Sequence, residues 1–407
     1  MMLAGPGLRE GVRVASLDRA LWIVPEGLHG FVDVVPIGPT LATAVLVITA
    51  FAALLAIVGV RARLALTVLT LGAFYLSSLA QLTGFVWHDM HLLWFSALLA
   101  ASPCDHAWAV DAPGGTIARA SYGTPLMVAR ALLGCVYLFP GLHKLGTQGL
   151  AWALSDNLRN QLYWKWAEYG EVPSLRLDHA PWLLKGGGLF VMAFELLAPI
   201  LFLVPRTRVV GAILGVAFHV TAQAVFRIPF VSLWACYVVL VDVRPVEGWV
   251  RALVRRPAKE GGVVARETSL APSLVVGAVL LVGAIVQGVR GQTQSYPFAC
   301  YPTFEHHAGT ELPDLRIVVT GADGVERELV HARDNAGRRT QRQWGTVWAL
   351  AGVTAAPDEA RLRAYYMLLP KTEGATLVRF LRAYRSVLPE RRDAPPVSEV
   401  ELLRFTP

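Results

Sequence analysis

Charged residues are scarce in this chain: Asp, Glu, Lys and Arg make up 16% of 407 residues, against 54% hydrophobic ones. That shortage argues against a soluble protein of this length, whose surface needs more charge than this. Cysteine is scarce as well. Four are present, with no CxxC pair and no Cys/His ligand array, so neither a disulfide framework nor a zinc site is indicated. The chain also lacks a nucleophile elbow, a phosphate loop and internal repeats. No cleavable signal opens it, since Gly5 to Asp18 carries charges and has no apolar core.

What the chain does have is long apolar runs, and a mean hydropathy of +0.47. Eight runs suit a bilayer crossing: about 41–60, 64–85, 89–103, 124–142, 183–204, 209–226, 229–243 and 270–289, the third and seventh being short. The expected fold is therefore an all-α polytopic membrane bundle of about eight spans. A small α+β domain follows it. The division reads as an N-terminal segment over 1–40, a transmembrane domain over 41–290 and an exterior domain over 291–407.

Charge placement orients the bundle. Arg61 and Arg63, Arg206 and Arg208, then Arg244 through Arg266 follow spans one, five and seven, which places those loops in the cytoplasm. Lys144 and everything after Gly291 then face the periplasm or exterior. Of the net +7, 22 basic and 16 acidic residues precede Gly291 and 15 and 14 follow it, so the surplus is juxtamembrane. Membrane lipid is the expected partner and nucleic acid is not. Eight spans leave the N-terminus outside despite Arg9, Arg13 and Arg19, a conflict that a start downstream of a lost first helix would resolve.

In the last segment, LRIVVTG (315–321) and VERELVH (325–331) alternate around Ala322-Asp323-Gly324 and read as a β-hairpin. Residues 341–352, 358–369 and 374–388 read as helical, the last through Leu377, Phe380, Leu381 and Tyr384. YPFACYPTF (296–304) reads as a stiff segment on the membrane surface. His306-His307 reads as a solvated loop pair, and no metal site is assigned.

The apolar run 130–145, RALLGCVYLFPGLHKL, ends on His143 and Lys144, with no Asp or Glu within ten residues on either side. Two readings fit. Lys144 either snorkels to the headgroups or sits desolvated as an amine base without a carboxylate. Other polar residues gather at the same membrane depth. His88 and His91 lie three apart at the start of span three, Glu195 lies in span five, and His219 lies in span six with Gln223 one turn on. Such a set reads either as a site or as interhelical hydrogen bonds that hold the bundle.

Arg130, Tyr137, Gly141 and Lys144 on one helix resemble, without a gap, a pattern of the vitamin K-dependent γ-carboxylase family. The membrane part of that family is the HTTM (horizontally transferred transmembrane) domain. His88 followed by His106, Trp108 and Asp111, the Phe218-His219 pair and Glu195 match further family anchors, spread over about 40–240. The resemblance implies an integral membrane, quinol-dependent γ-glutamyl carboxylase, a carbon–carbon lyase. Lys144 would deprotonate reduced vitamin K, oxygen would turn the quinol into a stronger base, and that base would remove a peptide Glu γ-proton. The carbanion would take up CO2 and the quinone would leave as its epoxide.

On this reading Lys144, His88 and His219 are the catalytic residues, and Tyr137, Arg130 and Glu195, with the neighbouring polar residues His143, His91 and Gln223, line the quinone pocket. Reduced vitamin K or menaquinone is the implied cofactor, with CO2 and O2 as co-substrates and a protein or peptide Glu as a further partner. The bacterial-looking composition favours menaquinone. This chain departs from the family at three points: its first span is not found, His143 replaces a Lys, and the exterior domain is much shorter. A different quinone- or lipid-modifying enzyme, and a non-enzymatic anchor or quinone/lipid-binding protein presenting the exterior domain, stand as alternatives.

Overall fold

A computed structural model describes residues 6–83, 90–106, 109–110, 119–228, 230–242, 269–293, 295–300, 307–329, 358–369, 374–391 and 394–407. Two short helices open the chain, α1 (Pro6–Ala15) and α2 (His29–Val34). Six helices are then long and apolar enough to cross a membrane. They are α3 (Pro39–Val58), α4 (Ala62–Gln81), α6 (Arg119–Gln148), α9 (Pro181–Leu203), α10 (Arg208–Phe226) and α12 (Ala271–Arg290). Their start and stop signals are local. Pro39 sits in the first turn of α3, and Gly59 caps its end with φ 80°, a left-handed conformation that glycine takes at little cost. Val47, Ile48, Phe51 and Leu54 stand exposed on α3, as expected of a helix that faces lipid.

The third and seventh expected spans are shorter than a bilayer requires. Span three is α5 (Met90–Ala100), and span seven is α11 (Val231–Cys236) continued by a 3₁₀ turn, Tyr237–Leu240. α5 is apolar because it lies inside the bundle, with Met90, His91, Leu93 and Trp94 buried, whereas α11 and its 3₁₀ turn bury Leu233, Cys236 and Leu240 and expose Trp234 and Val238. Both nevertheless run back along the preceding helix. Thr70 bonds Ser96 while Arg63 bonds the Ser102 carbonyl, so α5 is antiparallel to α4. His219 stacks near Phe230 while Gly215 meets Tyr237, so α11 is antiparallel to α10. Because α5 and α11 return along their neighbours in this way, the turn bearing Arg61 and Arg63 and the turn bearing Arg206 and Arg208 fall at one end of the bundle, and Lys144 falls at the other.

Between α6 and α9, α7 (Ala151–Leu154) and the polar α8 (Asn157–Tyr169) cap the Lys144 end. Asp178, in the next turn, is buried and holds this cap together. Arg176 donates to both its carboxylate oxygens (2.8 and 2.6 Å), and the Tyr163 hydroxyl donates at 3.1 Å. The Arg176 bonds hold the Asp178 carboxyl below its ordinary value, burial opposes this, and the Tyr163 bond adds to it. A depressed carboxyl stabilises the fold above its unfolded pKa, about 3.9, and that contribution is lost as pH falls through the folded value. Asp178→Asn should therefore unfold at lower temperature than the wild type at neutral pH. The difference should close below about pH 4, as read by thermal unfolding across that range.

The C-terminal domain is a four-stranded antiparallel sheet, ordered β2-β1-β3-β4, of β1 (Glu311–Gly321), β2 (Glu326–Glu328), β3 (Ala375–Ser386) and β4 (Ser398–Phe405). The expected hairpin is β1–β2, and the helix expected at 358–369 is α13 (Glu359–Met367). Leu362 and Tyr366 of α13 pack on Leu315, Ile317, Val319, Val378 and Phe380. The helix expected over 374–388 is instead the strand β3. Its buried residues change face halfway: Val378 and Phe380 point to one side, Leu381 and Ala383 to the other. With apolar residues on both faces, Leu377, Phe380, Leu381 and Tyr384 fall three and four apart and imitate a helical stripe. The helix expected over 341–352 lies outside the described residues.

Residues 296–300 do not lie on a surface as expected. Tyr296 is 2% exposed and its hydroxyl lies 2.6 Å from Ser77 Oγ, while Trp94 Nε1 donates to the Pro297 carbonyl at 2.9 Å. Phe298 packs against Trp94 and fills the space that glycine leaves at 283 on α12. The aromatic residues that suggested an interfacial belt are a wedge between helices.

Candidate functional site

The site begins where α6 and α9 pass each other. A Cβ on Gly134 would lie 3.1 Å from Pro199 Cα, and one on Gly141 would lie 2.9 Å from Glu195 Cβ and 3.3 Å from Leu196 N. Glycine at these two positions, seven apart, lets the antiparallel backbones approach closely. One turn beyond Gly141, Lys144 Nζ donates to Glu195 Oε1 at 2.5 Å. The two side chains are 2% and 6% exposed. The Trp152 ring, itself buried, completes the enclosure with its centroid 4.9 Å from Nζ.

Both sequence readings of Lys144 need correction. It does not snorkel, because it is buried. Nor is it an amine without a carboxylate, because Glu195 comes from 51 positions away, far beyond any local window. The proton between Nζ and Oε1 can reside on either atom while the pair keeps zero net charge. That neutrality is what low-dielectric surroundings demand.

His219 stands at the end of a narrow buried stripe on α10, Gly211–Gly215–His219. Its Nε2 lies 2.7 Å from the Tyr137 hydroxyl, which lies 2.6 Å from the Tyr237 hydroxyl. Phe194, Phe202 and Phe218 pack edge-on around Tyr137. A cavity of about 340 Å³ runs between α6, α9, α10 and α11 and joins these groups. Lys144, Glu195, Tyr137, His219 and His91 line it, with Trp152, Leu158, Phe190, Phe226 and Phe230 among its apolar walls. Leu183 and Phe190, on its α9 side, are 46% and 38% exposed, so the cavity reaches the apolar outer surface of the helix pair. Glu195 Oε2 and His219 Nδ1 are buried with no hydrogen-bond partner among the described residues.

Five expected site residues thus meet at one cavity. Three others take different places. His143 Nε2 donates to the Gly288 carbonyl at 2.7 Å and ties α6 to α12. Arg130 Nε donates to the Val239 carbonyl at 2.8 Å and anchors the 3₁₀ turn. Gln223 is exposed on α10, because a step of four residues rotates about 40° and carries it past the buried stripe. His88, Trp108, Asp111 and His306 lie outside the described residues. His106 sits at the opposite end of the bundle, 3.7 Å from Asp105. Sequence reasoning passed over Trp152 and Tyr237. The only signal for either is an aromatic residue near a helix end, which is common in membrane proteins.

An alternating bundle of apolar helices enclosing an ion pair at an apolar cavity defines a polytopic integral membrane protein with an intramembrane site. The HTTM domain is matched over residues 25–244, more than half of the chain, and the chain belongs to that family. The match takes in every residue that lines the cavity. No curated protein and no solved structure matches the chain.

Proposed function

We propose that this HTTM protein is a quinol-dependent, γ-carboxylase-like enzyme that takes a reduced menaquinone or vitamin K from the bilayer into the α6–α9–α10 cavity. The observation that carries the reading is the buried Lys144–Glu195 pair at the wall of an apolar chamber. The fit to a quinol is chemical. Apolar walls suit its ring and tail, and the volume lies within the range of about 300–1,000 Å³ typical of ligand pockets. Glu195 Oε2 and His219 Nδ1, without a partner among the described residues, supply hydrogen-bonding atoms for its oxygens. Exposed apolar residues at the α9 wall suit a ligand that arrives through lipid.

A reduced quinone, oxidised by O2, supplies the strong base for carboxylating a peptide Glu with CO2 and leaves as the epoxide. The protein's part is to take the first hydroxyl proton. With the shared proton on Glu195, Lys144 Nζ accepts it; with that proton on Lys144, Glu195 Oε2 accepts it. In either case the pair gains one positive charge beside the oxygen that has lost a proton, and low dielectric strengthens that attraction. His219, tied to Tyr137, orients the second oxygen. The positive-inside rule places the Arg61 and Arg206 end in the cytoplasm and the C-terminal sheet outside, where an exported polypeptide is the accessible carboxyl acceptor.

The test uses detergent-purified protein with reduced menaquinone or vitamin K, O2 and labelled bicarbonate, and follows quinone epoxide. The control is the double variant Lys144→Met/Glu195→Leu, which strands no charge. Epoxide from the wild type and none from the folded double variant is the expected result. Quinone binding without epoxide would overturn the enzyme and leave a quinone- or lipid-binding module.

A further inference from the structure

Ala308 and Gly309 lie just before β1, yet α8 holds them. Asn160 Nδ2 donates to the Ala308 carbonyl at 2.8 Å, and Trp164 Nε1 donates to the Gly309 carbonyl at 2.8 Å. The Ala308 N–H in turn donates to Asn157 Oδ1 at 3.0 Å. Asn157 is 1% exposed, and the other end of its amide, Nδ2, donates to the Trp152 carbonyl at 3.3 Å. Trp152 is equally buried, and its ring faces the Lys144 ammonium. Three contacts, two hydrogen bonds and a cation–π contact, therefore connect the strap before β1 to the ion pair: Ala308 to Asn157, Asn157 to Trp152, and Trp152 to Lys144.

We propose that Asn157 is a positioning residue that sets Trp152 against Lys144, using the strap in front of β1 as its anchor. Three features support the assignment. A buried amide that satisfies a donor on one segment and an acceptor on another fixes both, since either group left alone would be buried without a hydrogen bond. Trp152 forms at once a wall of the cavity and a cation–π partner of Lys144, so a displaced ring alters the chamber and the ammonium together. The anchor leads within three residues into β1 of the only sheet among the described residues, so the position of that sheet reaches the pair through one side chain. The consequence for turnover rests on the quinol-dependent reading; the contact itself does not.

The test labels the whole chain with 5-fluorotryptophan and assigns the Trp152 signal in the ¹⁹F spectrum with Trp152→Phe. Ala308→Pro removes the N–H that Asn157 accepts, Ala308→Gly keeps it, and Asn157→Asp keeps that acceptor while losing the donor to Trp152. The expected result is a Trp152 signal moved by more than its linewidth in Ala308→Pro, in Asn157→Asp and in Lys144→Met/Glu195→Leu. In Ala308→Gly it should stay in place. In the epoxide assay, Ala308→Pro should lower kcat about tenfold with the quinol KM within about twofold, since about 1.4 kcal/mol of lost positioning is a factor of ten in rate. A Trp152 signal unmoved in Ala308→Pro and Asn157→Asp, with only melting temperatures lowered, would reduce Asn157 to a structural bond and overturn the proposal. Because the signal is read without turnover, failure of this link and failure of the quinol reading are separate results.

Discussion

Lys144→Met should destabilise the bundle by about 3–5 kcal/mol, and adding Glu195→Leu should restore most of that loss. The single substitution leaves the Glu195 carboxylate buried, with Oε2 already lacking a partner among the described residues and Oε1 losing its own. Glu195→Leu alone strands the ammonium in the same way, relieved only in part by Trp152. The double variant replaces two charges by apolar groups of similar volume, which in low dielectric is often neutral or better. Melting temperatures of the four proteins in one detergent form the cycle, with a large coupling expected. Equal and additive losses would show that the pair is solvated. The same cycle, run in the epoxide assay, separates a pair that holds the bundle from a pair that handles a proton.

Gly141→Leu should be comparably severe and should remove the pair without touching either charge. The first added carbon would already lie 2.9 Å from Glu195 Cβ and 3.3 Å from a backbone nitrogen of α9, so neither can swing aside. The helices must part, and Lys144 one turn on loses Glu195 with them. Gly141→Ala is the informative lesser case. It gains about 1 kcal/mol of helix propensity and loses about 1–3 kcal/mol to overpacking, so a net loss is expected. At Gly186, on the exposed side of α9, nothing lies within 4 Å of an added Cβ, and the same change should stabilise by about 0.5–1 kcal/mol. Opposite signs at these two glycines, read by thermal unfolding, would confirm the close α6–α9 approach.

The sequence carried the bundle well, because apolar runs and arginine-bearing turns are local signals. It could not separate a helix that is apolar because lipid surrounds it from one that is apolar because protein does, and α5 is the second kind while α11 presents a face to each. The site was legible as a set of residues and illegible as a circuit. Lys144, Glu195, His219 and His91 drew attention by being polar in apolar runs, and Tyr137 through the family resemblance. The bond from Lys144 to Glu195 and the two hydroxyl contacts of Tyr137 span 51, 82 and 100 positions, which no periodicity encodes. Gln223 shows the converse error, since helical spacing identifies a face and not how far along that face a neighbour extends. β3 misled because its burial changes sides, so neither a period of two nor one of 3.6 describes it.

The wedge at 296–300 changes where this protein can be cut. The apolar sequence ends at Arg290, which invites a boundary there, but the bundle's inner surface is finished by residues that come later. Tyr296 takes a backbone bond to Glu26 as well as its contact with Ser77, so the far end of the membrane domain closes on its own beginning. A chain ended at 291 would lose the stopper and leave Trp94 and the glycine at 283 facing an open gap. A segment that the end of the apolar sequence would assign to the exterior thus reaches inside the bundle.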